Sequence, residues 1–213
     1  MKNIRGRLAA LALIAFAATS LAGCGVNNIP TKEAVAKQKM GDLQAAYQRR
    51  SDLIPNLVAT VKGYATQEKS VLVEVTEARA KATSVTVDPS SLTDPAKFKA
   101  FQQAQNGVSA ALGRLMITNE KYPELKSDRN FMALQSQLEG TENRITVARR
   151  DYNEAVTAYN LELTTFPGVL WASTVYKAEK PMVLFEATSE AQSAPKVSFD
   201  AAPAAPPAPA VKP

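Results

Sequence analysis

One stripe of apolar residues confines this chain to a helical bundle. Phe131, Leu134, Leu138, Thr141, Ile145, Ala148, Tyr152, Ala155, Tyr159 and Leu163 recur in alternating steps of three and four over more than four heptads. Residues spaced in this way share one face of an α-helix. A seam so long and so narrow must be covered by other helices along its length. The rest of the sequence supplies them. Phe98, Phe101, Gln105, Val108, Leu112 and Leu115 form a second stripe, with Thr93 or Asp94 as N-cap and Pro95 at the first helical position. Ile54, Leu57, Val61, Tyr64, Val71, Val75, Ala78 and Ala82 form a third, on which Glu68 also falls. Ala36, Met40, Leu43 and Tyr47 form a fourth, capped by Thr31.

The punctuation between stripes gives the expected boundaries. Ser51-Asp52-Leu53-Ile54-Pro55 predicts a kink or break between the first two helices, because an interior proline costs ~3 kcal/mol while one in the first turn costs little. The stretch Ser84–Pro95 reads as a loop, and Asn119–Asp128 as a connection broken at Tyr122-Pro123. Phe166-Pro167-Gly168 ends the last long helix. Val169 to Phe185 reads as a turn or two of helix followed by an irregular strap. The expected fold is all-α: an elongated antiparallel up-and-down four-helix bundle over residues 31–186. Residues 187–213, rich in proline and alanine, read as a disordered tail that lacks the apolar area for a core.

The first 30 residues carry an address. Lys2, Arg5 and Arg7 precede an apolar run from Leu8 to Leu21, and Leu21-Ala22-Gly23-Cys24 follows. The run is shorter than the ~20 residues a spanning helix needs, and its flank fits a secretory signal. The four residues form a lipobox. Residues 1–23 are therefore expected to be a signal peptide and residues 24–30 a tether. The sole cysteine, Cys24, is expected to carry lipid and attach the protein to the bilayer. Gly25 after the cysteine, in place of aspartate, points to the outer membrane of a two-membrane envelope. Cleavage before Cys24 removes three basic residues and no acid, so the formal charge falls from +5 to +2. The only basic pairs, Arg49-Arg50 and Arg149-Arg150, sit beside Asp52 and Asp151. No concentrated basic patch remains for nucleic acid.

Several chemistries are excluded by composition. The chain has no histidine. That removes Ser–His–Asp and Cys–His catalysis and most zinc sites. The nine glycines are scattered singly, without a phosphate loop. No cofactor is expected. Carboxylate chemistry remains, with Glu68, Glu139, Glu142 and Glu154 on helices, but it requires a cleft and separated pKa values. Asn56, Glu68, Arg79, Glu142, Arg149, Asn153 and Asn160 lie on or beside the seams. They are read as a polar network that sets helix register, the other reading being a polar ligand or ion slot. Trp171, Val169, Leu170 and Tyr176 either cap the bundle's end or form a partner- or membrane-facing patch.

Three blocks of sequence resemble the LemA family. The first is Arg50-Ser51-Asp52-Leu53-Ile54-Pro55-Asn56-Leu57-Val58 with Thr60-Val61-Lys62-Gly63-Tyr64-Ala65. The second is Tyr122-Pro123-Glu124-Leu125-Lys126, Asn130-Phe131, Leu134-Gln135, Leu138, Thr141-Glu142-Asn143-Arg144-Ile145 and Arg149-Arg150-Asp151-Tyr152-Asn153. The third is Val156, Tyr159-Asn160 and Phe166-Pro167. The resemblance runs from about residue 40 to 185. It implies a long antiparallel helical bundle, membrane-attached and mostly outside the cytoplasm, with no accepted reaction. This chain departs from the family pattern in having Gln67 where many members carry histidine, and Val175-Tyr176 where they carry Gly-Phe. Its lipobox replaces the transmembrane anchor that many members use. Two functions follow as expectations. One is a non-catalytic envelope scaffold or adaptor with an unidentified envelope protein as partner. The other is a module carrying an apolar or lipid ligand between its helices, which would require a continuous dry cavity.

Overall fold

The structure, a computed structural model, describes residues 25–64 and 68–186. The expected signal peptide, Cys24 and the tail from 187 lie outside the described residues. Six α-helices and a 3-10 turn follow one another: α1 Asn28–Tyr64, α2 Lys69–Ser84, the 3-10 turn Pro89–Thr93, α3 Pro95–Asn119, α4 Pro123–Lys126, α5 Arg129–Thr164 and α6 Gly168–Thr174. No strand occurs among the described residues. The architecture is the expected up-and-down helical bundle. α1 and α5, of 37 and 36 residues, run antiparallel against each other. At 1.5 Å per residue each is ~55 Å long.

The first two predicted helices are not divided where the sequence suggests. α1 passes through Pro55 without ending, and the next described helix begins only at Lys69. Neither Ser51 nor Asp52 is a cap. Asp52 is exposed within the helix and accepts a bond from Gln48 Nε2 at 2.8 Å. The proline removes the N–H that would bond the Ser51 carbonyl. A neighbouring helix replaces it: Arg79 Nε of α2 donates to Ser51 O at 2.8 Å. Burial of Ile54 and Leu57 on either side of Pro55 holds the segment against the bundle. The start of α1 also differs. Helix begins at Asn28, not after Thr31, because Ile29 is fully buried and draws the expected tether into the first turn.

The other boundaries agree with their sequence signals. Asp94 Oδ1 accepts from the backbone N–H of Ala96 at 2.9 Å and Lys97 at 3.2 Å, with Pro95 opening α3. Asp128 caps α5 by accepting from Phe131 N at 2.8 Å. That bond, together with the Tyr64 hydroxyl at 2.9 Å, holds the Asp128 carboxyl below the usual aspartate range. Two expected loops contain short helices. In the 84–95 stretch Asp88 and Ser91 cap the 3-10 turn reciprocally, and bonds from Ser90 and Ser91 hold the Asp88 carboxyl down at about 2.

α2 is less than half as long as α1, and it packs on α1 and α3 over only the half of the bundle that carries Ile54, Val61 and Leu138. The other half needs different cover. The 3-10 turn, α6 and the strap 175–186 supply it, with Leu92, Met182 and Phe185 buried among Met40, Tyr152 and Tyr159. Two apolar clusters result, one under α2 and one under the strap.

Candidate functional site

A polar belt separates the two clusters, and Arg50 is its centre. The α1 stripe runs Leu43, Tyr47, Arg50, Ile54, which turns Arg50 inward. It is 1% exposed. Its Nη1 donates to Ser109 Oγ at 2.8 Å and Glu142 Oε1 at 2.9 Å. Its Nη2 donates to the backbone and side-chain oxygens of Gln105, at 3.1 and 2.6 Å. One guanidinium thus ties α1 to α3 and α5. A buried charge is tolerated only with such partners. Arg149 of α5 repeats the arrangement two turns away. Its Nε donates to Tyr47 Oη at 2.7 Å and its Nη2 to Asn106 Oδ1 at 3.0 Å. The two guanidinium carbons lie 5.1 and 5.7 Å from the Tyr47 ring centre. Burial pushes the Tyr47 phenol up, and Arg149 opposes that shift.

The seven polar residues named from the sequence do not form one network. Glu142 and Arg149 share the α5 face but stand ~10 Å apart along it, and each bonds α1 or α3 instead of the other. Arg79 takes the Ser51 carbonyl. Glu68, beside the N-terminus of α2, accepts from Tyr122 Oη at 3.2 Å. Asn56 is exposed and takes no part, because its position on α1 faces away from α3.

Asn153 and Asn160 hold the strap. Asn153 donates through Nδ2 to Phe185 O at 3.0 Å and accepts from Phe185 N at 2.9 Å. Asn160 does the same with Met182, at 2.9 Å in both directions. Seven helical residues span ~10 Å, the reach of three extended residues, so the heptad matches the strap's spacing. The preceding tyrosines add a second rail. Tyr152 Oη donates to Val183 O at 3.0 Å, and Tyr159 Oη bonds Glu179 Oε2 at 3.1 Å. Burial raises both phenols well above the usual tyrosine range. The repeated Tyr-Asn pair was the available sequence signal. Arg50 had one too: the α1 stripe, carried past Tyr47 without a break, lands on it.

Three surface hollows adjoin the belt, one of them, of about 480 Å³, lying between α3 and α5 with Ser109 and Glu142 in its wall. A cleft of about 250 Å³ opens between α1, α2 and α3, with Arg50, Arg79, Gln105 and Phe101 in its wall. Buried Ser51 Oγ, which has no hydrogen-bond partner among the described residues, belongs to a wall residue of the same cleft. A wider groove of about 990 Å³ runs between α1 and α5 on the face away from α3. Among the described residues no cluster of histidine, cysteine and acidic side chains is arranged to hold a metal ion, and no helix is long and apolar enough to cross a membrane.

The model of the LemA family matches residues 39–199. That span takes in α1 from Lys39, the arginine belt and the strap. The chain belongs to the LemA family. Among its relatives is magnetosome protein MamQ 2 of Paramagnetospirillum magneticum, 28% identical over 176 residues, which cover 75% of this chain and 64% of that protein. Magnetosome protein MamQ of Magnetospirillum gryphiswaldense is 27% identical over 176 residues, with the same coverage. Protein LemA of Metamycoplasma hominis is 27% identical over 124 residues, 58% of this chain and 52% of the relative. This LemA family chain therefore spans a little under two thirds of the MamQ proteins and about half of the mycoplasmal one.

Proposed function

We propose that this protein is a non-catalytic, lipid-anchored scaffold or adaptor of the cell envelope, with the bilayer bound through acylated Cys24 and an amphipathic helix of an envelope protein bound in the α1/α5 groove. The groove carries the proposal. Its floor is apolar and small, with Ala46, Leu53, Val147 and Ala148, and Val147 is 48% exposed. Alanines let a third helix approach closely. The rims carry both signs, Arg49 and Arg144 against Asp52 and Asp151, which suits a helix with a mixed-charge flank and fixes its register. The absence of histidine and the involvement of Glu142 in holding Arg50 support a non-catalytic role. The lipobox and Gly25 support an outer-membrane position in a two-membrane envelope. The alternative, a carrier of an apolar or lipid ligand, needs a dry, enclosed cavity. The cleft of about 250 Å³ has Arg50 and Arg79 in its wall, and the wider α1/α5 groove is an open surface groove rimmed by Lys39, Arg49, Arg144, Asp52 and Asp151, so neither offers one.

The test is complementation in a deletion strain with an envelope phenotype. Cys24→Ala and a groove variant, Val147→Glu with Arg144→Glu at two exposed groove positions, are expected to fail while the purified proteins remain folded. Glu68→Gln is expected to complement. Full activity of the groove variant, or loss of activity in a folded, membrane-bound Glu68→Gln protein, refutes the scaffold. Mass spectrometry of the mature N-terminus tests the anchor separately.

A further inference from the structure

The first described residue, Gly25, follows Cys24 directly, and its surroundings locate the anchor on the bundle. Gly25 has φ +102°, in the region that favours glycine, and its carbonyl accepts from Asn28 N at 3.0 Å. A Cβ on Gly25 would lie 3.5 Å from the Pro167 ring. The chain therefore enters the bundle against the turn between α5 and α6. That turn is held firmly. Glu162 pairs with Lys32 and accepts from Asn28 Nδ2 at 3.2 Å, and Gly168 packs directly on the Glu162 backbone carbonyl.

The same turn exposes an unusual amount of apolar surface. Phe166 is 79% exposed, Val175 60%, Leu170 53% and Val169 37%. At the opposite end of the bundle the exposed large apolar residues, such as Val73 and Ile117, come singly from different helices. Four in ten residues, on a turn braced from behind by an ion pair, form a patch that needs a cover.

We infer that Phe166, Val169, Leu170 and Val175 form a wedge that enters the lipid surface beside the acylated N-terminus. The inference rests on Cys24 carrying lipid, and it deepens the proposed function. The occupant is a bilayer, because the residue that carries the anchor is covalently joined to Gly25, so the acyl chains enter the membrane next to this turn. The acyl chains supply stable anchoring, and the wedge adds buried apolar area at the same point. The contact also sets orientation. α1 and α5 then rise from the membrane by this end, which keeps the groove accessible and carries the Tyr64 end outward.

The protein contains its own reporter, since Trp171 of α6 is the only tryptophan. The full mature protein, with its native N-terminus, is reconstituted in phosphatidylethanolamine/phosphatidylglycerol vesicles containing acyl-brominated phosphatidylcholine. Trp171 emission is expected to fall by half or more. Phe166→Ser with Leu170→Ser, both exposed positions, should retain the fold and the lipid but lose most of the quenching. Val73→Ser at the far end should behave as wild type. Absence of quenching in the wild type, as when a protein partner is the true cover, overturns the inference, and so does equal quenching in the double variant. An unmodified Cys24 in the mass spectrum overturns the anchor reading and with it the inference that rests on it, whereas a lipidated wild type without quenching overturns the wedge alone.

Discussion

Replacing Arg50 should cost far more than replacing Glu142, although the two are partners in one ion pair. Arg50→Met keeps most of the side-chain volume and removes the guanidinium. Removing one partner of a buried ion pair costs ~3–5 kcal/mol. Two observations place this case at the lower end, and a third sets the cost that remains. The Glu142 side chain is 38% exposed, so water can reach it when Arg50 is gone. Ser109 can turn its hydroxyl to its own helix. Gln105, 7% exposed, is left with a buried side-chain oxygen that nothing replaces, worth ~1–3 kcal/mol. The expected loss is about 3 kcal/mol, or roughly 6–12 °C in melting temperature for a chain of this size. Glu142→Gln leaves Arg50 bonded to Gln105 and Ser109, and the new amide oxygen still accepts. Solvent screening at the half-exposed carboxylate reduces its cost to about 1 kcal/mol. Adding Gln105→Leu to Arg50→Met removes the orphaned oxygen and should recover about 1 kcal/mol. Urea unfolding of the four proteins, followed by far-UV circular dichroism, reads all three differences. A Glu142→Gln loss equal to that of Arg50→Met, or an Arg50→Met protein within ~0.5 kcal/mol of wild type, refutes the claim that Arg50 is the buried centre of the belt.

Other outcomes follow from the same geometry. Asn153→Ala or Asn160→Ala should each cost ~1–3 kcal/mol, because two strap backbone groups lose their partner, and hydrogen exchange at Met182 and Phe185 should accelerate; unchanged exchange there counts against the strap pairing. Leu138→Ala and Ile145→Ala should each cost ~2–5 kcal/mol and Glu154→Ala under ~0.5, and equal effects in a thermal melt reject the α5 seam. Glu162 titrates below the ordinary glutamate range, chiefly through its bond from Lys32 and also through Asn28. Its lowered folded value contributes stability that is complete above the unfolded glutamate pKa, ~4.3, and is lost as pH falls through the folded value. Glu162→Gln should therefore flatten the acid limb of a stability–pH profile, while an unaltered limb removes Glu162 from the clamp.

The α5 seam was legible because periodicity in one helix depends only on local spacing. Phe131, Leu138, Ile145, Tyr152 and Tyr159 are all buried, as their positions require. The same holds for the α3 stripe and for the Asp94-Pro95 start. Pro55 misled because its local cost is real but its remedy is distant. Arg79 is 24 residues further along, and no local signal shows that its guanidinium reaches the Ser51 carbonyl. The false break then hid Arg50, which becomes a seam position only when α1 continues through the proline.

By itself the sequence determined the helical class, the antiparallel order, the main core faces and the family. Those properties follow from heptad spacing, caps and motif order, which are written along the chain. The tertiary structure decided that α1 survives its proline, that Arg50 and Arg149 bridge three helices and that the Tyr-Asn pairs grip the strap. It also decided that Gly25 meets Pro167 beside an exposed apolar turn. Each of these depends on groups distant in sequence satisfying one another. A buried charge or an orphaned carbonyl is stable only when a partner arrives from another element, and that pairing exists only once the helices have packed.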